Sequence, residues 1–210
     1  MPQPHLELIE RIIREAPDVA AGARVLYEVA RLDVPAELPV WKVLPTLRWA
    51  DDVAGVREAW VQRAASCIPP EASGIYFGLD GLNMPDGKGV ELGCSTAHLP
   101  GWQSIDFIFN CETYCDDVPL PSLSRLYTWF YREGGYETFG SIDNLRLEYP
   151  VCLGIGALVF RDALRALDPS LLLGETSERC FAFGFHDGDM LRLGRATQDG
   201  FVNDASFDCW

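Results

Sequence analysis

Residues 180–194 read CFAFGFHDGDMLRLG, and the rest of the chain is best read outward from them. Phe181, Phe183 and Phe185 alternate with small residues, His186-Asp187-Gly188-Asp189 offers turn chemistry that tolerates positive φ, and Met190, Leu191 and Leu193 restore the apolar signal. A β-hairpin is predicted. Upstream, Gly74-Ile75-Tyr76-Phe77-Gly78-Leu79-Asp80-Gly81 runs through Pro85-Asp86-Gly87 into Gly89-Val90-Glu91-Leu92-Gly93, again an aromatic run before Asp-Gly that ends on Leu-Gly. Common turn chemistry explains such an echo. The sharper alternative is a repeated sheet unit whose carboxylates, Asp80, Asp187 and Asp189, meet His186 at one rim.

Around these strands the period is helical. Within residues 5–16, Leu6, Ile9 and Ile13 share one face, and Pro17 ends the run. Asp18 is placed to cap a helix over 19–32 with Val25, Leu26, Val29 and Leu32 as its apolar stripe. Pro35, Pro39 and Pro45 break the chain around Trp41, with a short helical turn at 44–49. Asp51 or Asp52 is expected to cap a third helix to about residue 66, carrying Val53, Val56, Trp60 and Ala64.

From residue 74 the period changes to two, with strands expected at 75–79, 90–92 and 104–109. A polar loop follows at 110–121, then a helix over 123–133 capped by Ser122. The apolar run from Val151 reads as a buried helix, with a central strand over 151–159 as the alternative, and Gly154 and Gly156 suggest close approach to another backbone. Residues 200–207 add an edge strand. The expected fold is one α+β domain over 1–210, a helical subregion (1–70) and central helices packed on a mainly antiparallel sheet within 74–210.

Seventeen basic against thirty-one acidic residues give a net charge of −14, which argues against nucleic acid or anionic lipid as partners and favours a basic protein. The excess is uneven: residues 1–73 hold 8 basic and 11 acidic side chains, and residues 74–210 hold 9 and 20. Between Lys88 and Arg125 there is no Lys or Arg, yet Glu91, Asp106, Glu112, Asp116 and Asp117 all fall there. Acidity of this kind also serves solubility alone. No apolar run reaches the roughly 18 residues of a membrane span; the best, 151–160, meets Arg161 and Asp162 at once. The first residues lack a basic leader and a cleavage site, so a cytoplasmic location with seven reduced cysteines is expected.

Chemistry-bearing motifs are sparse. There is no phosphate-binding or dinucleotide-binding glycine loop, no Gly-x-Ser-x-Gly elbow and no His-Glu-x-x-His helix. Cys111, Cys115 and His98 fall short of a four-ligand zinc set, and Cys94 with His98 are sequence neighbours without assured geometry. Asp80, His186, Asp187 and Asp189 are the one set that could hold a divalent metal or pair a base with an acid, as in a metal-dependent hydrolase. Trp102, Asp106, Glu112, Tyr114, Asp116 and Asp117 interleave rings with carboxylates, a mixture suited to Lys and Arg side chains of a partner.

The segments Ile75-Tyr76-Phe77-Gly78-Leu79-Asp80, Glu148-Tyr149-Pro150-Val151-Cys152-Leu153-Gly154 and Gly184-Phe185-His186-Asp187-Gly188-Asp189 resemble a pattern in small acidic bacterial immunity proteins found beside polymorphic toxins. The resemblance implies binding and neutralisation of a cognate toxin, with no transferable active-site residues; together with the net charge of −14, the expectation is a non-enzymatic protein that binds a basic partner, with no catalytic residues and no cofactor.

Overall fold

A computed structural model describes residues 4–33, 36, 40–79, 90–95, 113–118, 120–132, 149–185 and 190–207. The expected hairpin is present: β4 (Arg179–Phe185) and β5 (Met190–Thr197) pair antiparallel, with Phe183 opposite Leu191. Its upstream echo forms β1 (Gly74–Leu79) and β2 (Val90–Ser95), also antiparallel, with Phe77 opposite Leu92. The two then join through β1 and β4, which run parallel in unbroken register, Phe77 beside Phe183 and Gly78 beside Gly184. This central pair makes the sheet mixed rather than mainly antiparallel. With β3 (Thr113–Val118), β6 (Gly200–Val202) and β7 (Ser206–Phe207), the strand order is β3-β2-β1-β4-β5-β6, and β7 also pairs with β5. The class is α+β, as expected.

Alternation decides which side chains meet the helices, because successive residues of a strand point to opposite faces. Ile75, Phe77, Phe181 and Phe183 enter the main core. The opposite face of the same two strands carries Gly74, Tyr76, Gly78, Cys180, Ala182 and Gly184, all buried as well. Tyr76 lies across Gly78, where a Cβ would fall 2.9 Å from its ring, and donates its hydroxyl hydrogen to Phe185 O at 2.9 Å.

The helical layer comprises α1 (Pro4–Glu15), α2 (Val19–Asp33), a short α3 (Val40–Val43) running into a 3-10 turn (Leu44–Thr46), α4 (Trp49–Cys67) and α5 (Pro121–Arg132). A π-helical stretch (Tyr149–Gly154) leads into α6 (Ile155–Arg165), followed by α7 (Pro169–Leu173). The apolar run from Val151 is therefore helical, as its main reading had it. α6 packs on α2 and α4 on one side and on β4 and β5 on the other. Phe160 lies against Phe77, its ring tilted by 33°, at 4.2 Å between ring centroids and lies 5.1 Å from Phe183, while Trp60 of α4 closes on Phe181 at 5.7 Å. Trp60 also donates its indole hydrogen to Leu171 O, which holds α7 against α4.

Several local expectations change. The buried face of α2 is Val19, Ala23, Leu26 and Ala30, whereas Val25 and Leu32 are exposed. The shift follows from Gly22, where a Cβ would meet Leu158 of α6 at 2.5 Å; the small residues face the tight contact. Gly154 and Gly156 also sit at close contacts, but with side chains, Leu26 and Phe183, rather than with a backbone. The polar stretch expected as a loop at 110–121 contains β3, and α5 starts at Pro121, leaving Ser122 inside its first turn. The expected strand at 104–109 lies outside the described residues. Among the seven cysteines, Cys152 and Cys180 are buried and outside any disulfide, but Cys67 is disulfide-bonded, contrary to the all-reduced expectation. Among the described residues, no helix is long and apolar enough to cross a membrane.

Candidate functional site

β3 is the outermost strand of the sheet on its side among the described residues. Val118 pairs with Val90 and Cys115 with Leu92, so two residues of β3, Asp116 and Asp117, stand opposite the single residue Glu91. That is a β-bulge. A bulge bends an edge strand, and charges there oppose pairing with another sheet edge. Two acidic positions thus occur at the place where an outer strand departs from the regular ladder, with a third acidic position on the neighbouring strand. Tyr114 lies two residues before the bulge, opposite Gly93. Trp102, Asp106 and Glu112, the remaining members of the expected partner face, lie outside the described residues.

Asp80, His186, Asp187 and Asp189 also lie outside them. Leu79 and Phe185 are register partners at the ends of parallel strands. Met190, opposite Gly184, brings the chain back at that same end. Among the described residues, no group of three or more His, Cys, Asp or Glu side chains could hold a metal ion.

The described polar chemistry is concentrated in buried nodes that the sequence reading missed. Arg161, fully buried, donates from Nη1 to Ile13 O at 2.5 Å and to Ala16 O at 2.9 Å, and from Nε to Asp162 Oδ1 at 2.8 Å. Asp162 Oδ2 accepts from Val19 N at 2.6 Å. One dipeptide on α6 therefore serves the carbonyl end of α1 and the amide end of α2, each with the charge its dipole favours. Burial lowers the Arg161 pKa, opposed by the neighbouring Asp162 carboxylate. An arginine still remains a cation at neutral pH. Asn203 adds a hydrogen bond to Ile13 O at 3.0 Å.

A second node joins two helix starts. Asp52, in the first turn of α4, accepts from Ser122 N and Leu123 N, both at 2.9 Å, and Ser122 Oγ accepts from Arg48 N at 2.9 Å. Asp52 thus caps α5, not its own helix as expected, and Ser122 returns the bond at the entrance to α4. Burial raises the Asp52 pKa, against the two backbone hydrogen bonds and the Ser122 hydroxyl that lower it. A carboxyl with a raised folded-state pKa contributes stability that is present below its unfolded value and lost as pH rises through the folded one. Relative to Asp52→Asn, the wild-type chain is expected to lose stability as pH rises out of the ordinary carboxylate range. Urea melts of both proteins at several pH values check this; a difference that stays constant or grows with pH would contradict it.

Arg179 forms a third node, donating to Ala72 O at 2.6 Å and Pro70 O at 3.0 Å and so holding the turn that precedes β1. Gly174, at φ 58°, keeps that corner open, since a Cβ there would fall 2.6 Å from Arg179 Nη2 and from Pro70 O. These nodes bind the chain to itself. They offer cation, carboxylate and amide groups already engaged inside the fold.

By fold the chain is an α+β protein with a mixed sheet. No protein-family model, curated protein or solved structure matches it.

Proposed function

We propose that the chain is a non-enzymatic, cytoplasmic binding protein that captures a basic protein partner at the β3 side of its sheet. Its most concrete form is an immunity-type protein that neutralises a basic toxin or effector. The observation carrying this reading is the bulge that sets Asp116 and Asp117 opposite Glu91 on the outer strand, within a 36-residue span, 89–124, that lacks any Lys or Arg. Carboxylates at a sheet rim attract Lys and Arg over several ångströms, and rings such as Tyr114 and Trp102 would anchor the contact once formed. Asp106 and Glu112 complete the acidic set.

The test is a pull-down from the native host with the wild-type chain and with the double variant Asp116→Lys/Asp117→Lys, at low and moderate salt. A basic protein held by wild type at low salt, released by salt and lost from the variant is the expected result. Equal retention by both chains, or none by either, contradicts it.

The alternative, a metal-dependent hydrolase using Asp80, His186, Asp187 and Asp189, draws on one observation: the paired ends of β1 and β4 at Leu79 and Phe185. Ligands of parallel sheets gather at the carboxyl ends of strands. Stoichiometric metal in the purified protein, lost on His186→Ala, would favour the hydrolase.

A further inference from the structure

β3 (Thr113–Val118) and α5 (Pro121–Arg132) are separated by residues 119 and 120 alone, so the bulge at Asp116 and Asp117 is followed almost at once by the first turn of α5. The ladder joining β3 to β2 is interrupted at that bulge, between Val90 and Leu92, and among the described residues β2 is the only strand beside β3. A second attachment comes from the helical layer. α4 packs on both β3 and α5, Val118, Leu120, Leu123 and Leu126 are buried in the core, and Ser124 N donates to Leu120 O at 2.8 Å.

Asp52 stands at the centre of that attachment. It is fully buried, and each carboxylate oxygen takes a different amide, Oδ1 that of Ser122 and Oδ2 that of Leu123. Two successive amides on one planar group fix the orientation of the first turn of α5 as well as its distance. Ser122 Oγ, accepting from Arg48 N, ties the same turn to the residue that precedes α4. A turn that swung away would leave a buried carboxylate without either amide, which costs more than breaking an exposed cap.

We infer that Asp52 is a positioning residue for the β3 rim: by clamping the first turn of α5 to α4, it holds the strand-to-helix junction, and with it the bulge at Asp116 and Asp117, in one place on the molecule. Its use rests on the binding proposal above, since a partner that meets a rim already held in place loses less affinity to ordering it. The clamp itself is a property of the free chain.

The test is hydrogen exchange of the full chain, read by mass spectrometry without any partner. In Asp52→Ala, the amides of residues 113–126 are expected to exchange about tenfold faster than in wild type, over and above any change across the β4–β5 hairpin at 179–197, the usual scale of a lost cap expressed as local opening. Asp52→Asn, which keeps one acceptor oxygen, should fall between the two. A rise at 113–126 no greater than at 179–197 would make Asp52 a general support of the fold and overturn the inference, as would unchanged protection or an asparagine variant no better than alanine. Should Asp52→Ala not fold, Ser122→Ala, which removes the acceptor of Arg48 N, carries the same comparison between the two segments. An empty pull-down would remove the binding proposal and leave the clamp standing, whereas uniform exchange would remove the clamp and leave the pull-down result standing, so the two fail separately.

Discussion

Alanine at position 161 is expected to lower the unfolding free energy by about 3–5 kcal/mol, the usual consequence of removing one partner from a buried ion pair. Arg161 is fully buried, and its guanidinium serves the Ile13 and Ala16 carbonyls together with the Asp162 carboxylate. Truncation leaves all three without this donor, and Asp162, still bonded to Val19 N, becomes a largely buried negative charge lacking its counter-ion. Arg161→Met, which restores much of the volume but none of the donors, should recover little. Urea melts at constant m value measure the loss as a shift in midpoint. A loss below about 1 kcal/mol, the scale of an exposed ion pair, would show that the node does not hold α1 and α2 to α6.

The second large effect is expected at Phe77. Phe77→Ala should cost about 3–5 kcal/mol, the sum of lost transfer free energy and the cavity left by partial collapse. Its ring is 1% exposed and lies between Phe160 at 4.2 Å, Trp60 at 6.2 Å and Phe181 at 6.3 Å. These partners come from α6, α4 and β4, so the cavity would open where helices and sheet meet. Leu32→Ala gives the contrast: that side chain is 84% exposed, and its loss should change stability by no more than about 0.5 kcal/mol. Similar midpoints for the two variants would contradict the placement of the core.

The hairpin of β4 and β5 was legible because alternation of Phe181, Phe183 and Phe185 with small residues is a period-two signal that few other structures use. The echo in β1 was legible for the same reason, but its pairing was not. Periodicity says which face a residue takes and nothing about which strand lies beside it, so the parallel register of Phe77 with Phe183 had to come from the structure. The α2 stripe was misplaced because hydropathy favours Val25 and Leu32, while the contact itself selects Gly22, Ala23 and Ala30 for size.

Caps failed through locality. Asp52 precedes most of α4 in sequence, yet its carboxylate reaches the amides of Ser122 and Leu123, and only the fold brings those together. Arg161-Asp162 served in the sequence only to end an apolar run; a charged pair embedded where the helical stripe continues through Ala163 and Leu164 was the available signal. On the candidate site, Thr113 to Asp117 reads as loop because an outer strand with a bulge needs no strict alternation. The positions opposite Glu91 therefore emerged from register alone.

The most direct measurement of the binding proposal is the association rate between the chain and its captured basic partner, taken across ionic strength for wild type and for Asp116→Lys/Asp117→Lys. If the β3 rim steers the encounter, reversal of both charges should slow association at low salt by about tenfold or more and flatten its dependence on salt, because rim charges act chiefly on the on-rate. Unchanged rates with an unchanged salt slope would place the partner elsewhere on the molecule and contradict the proposal.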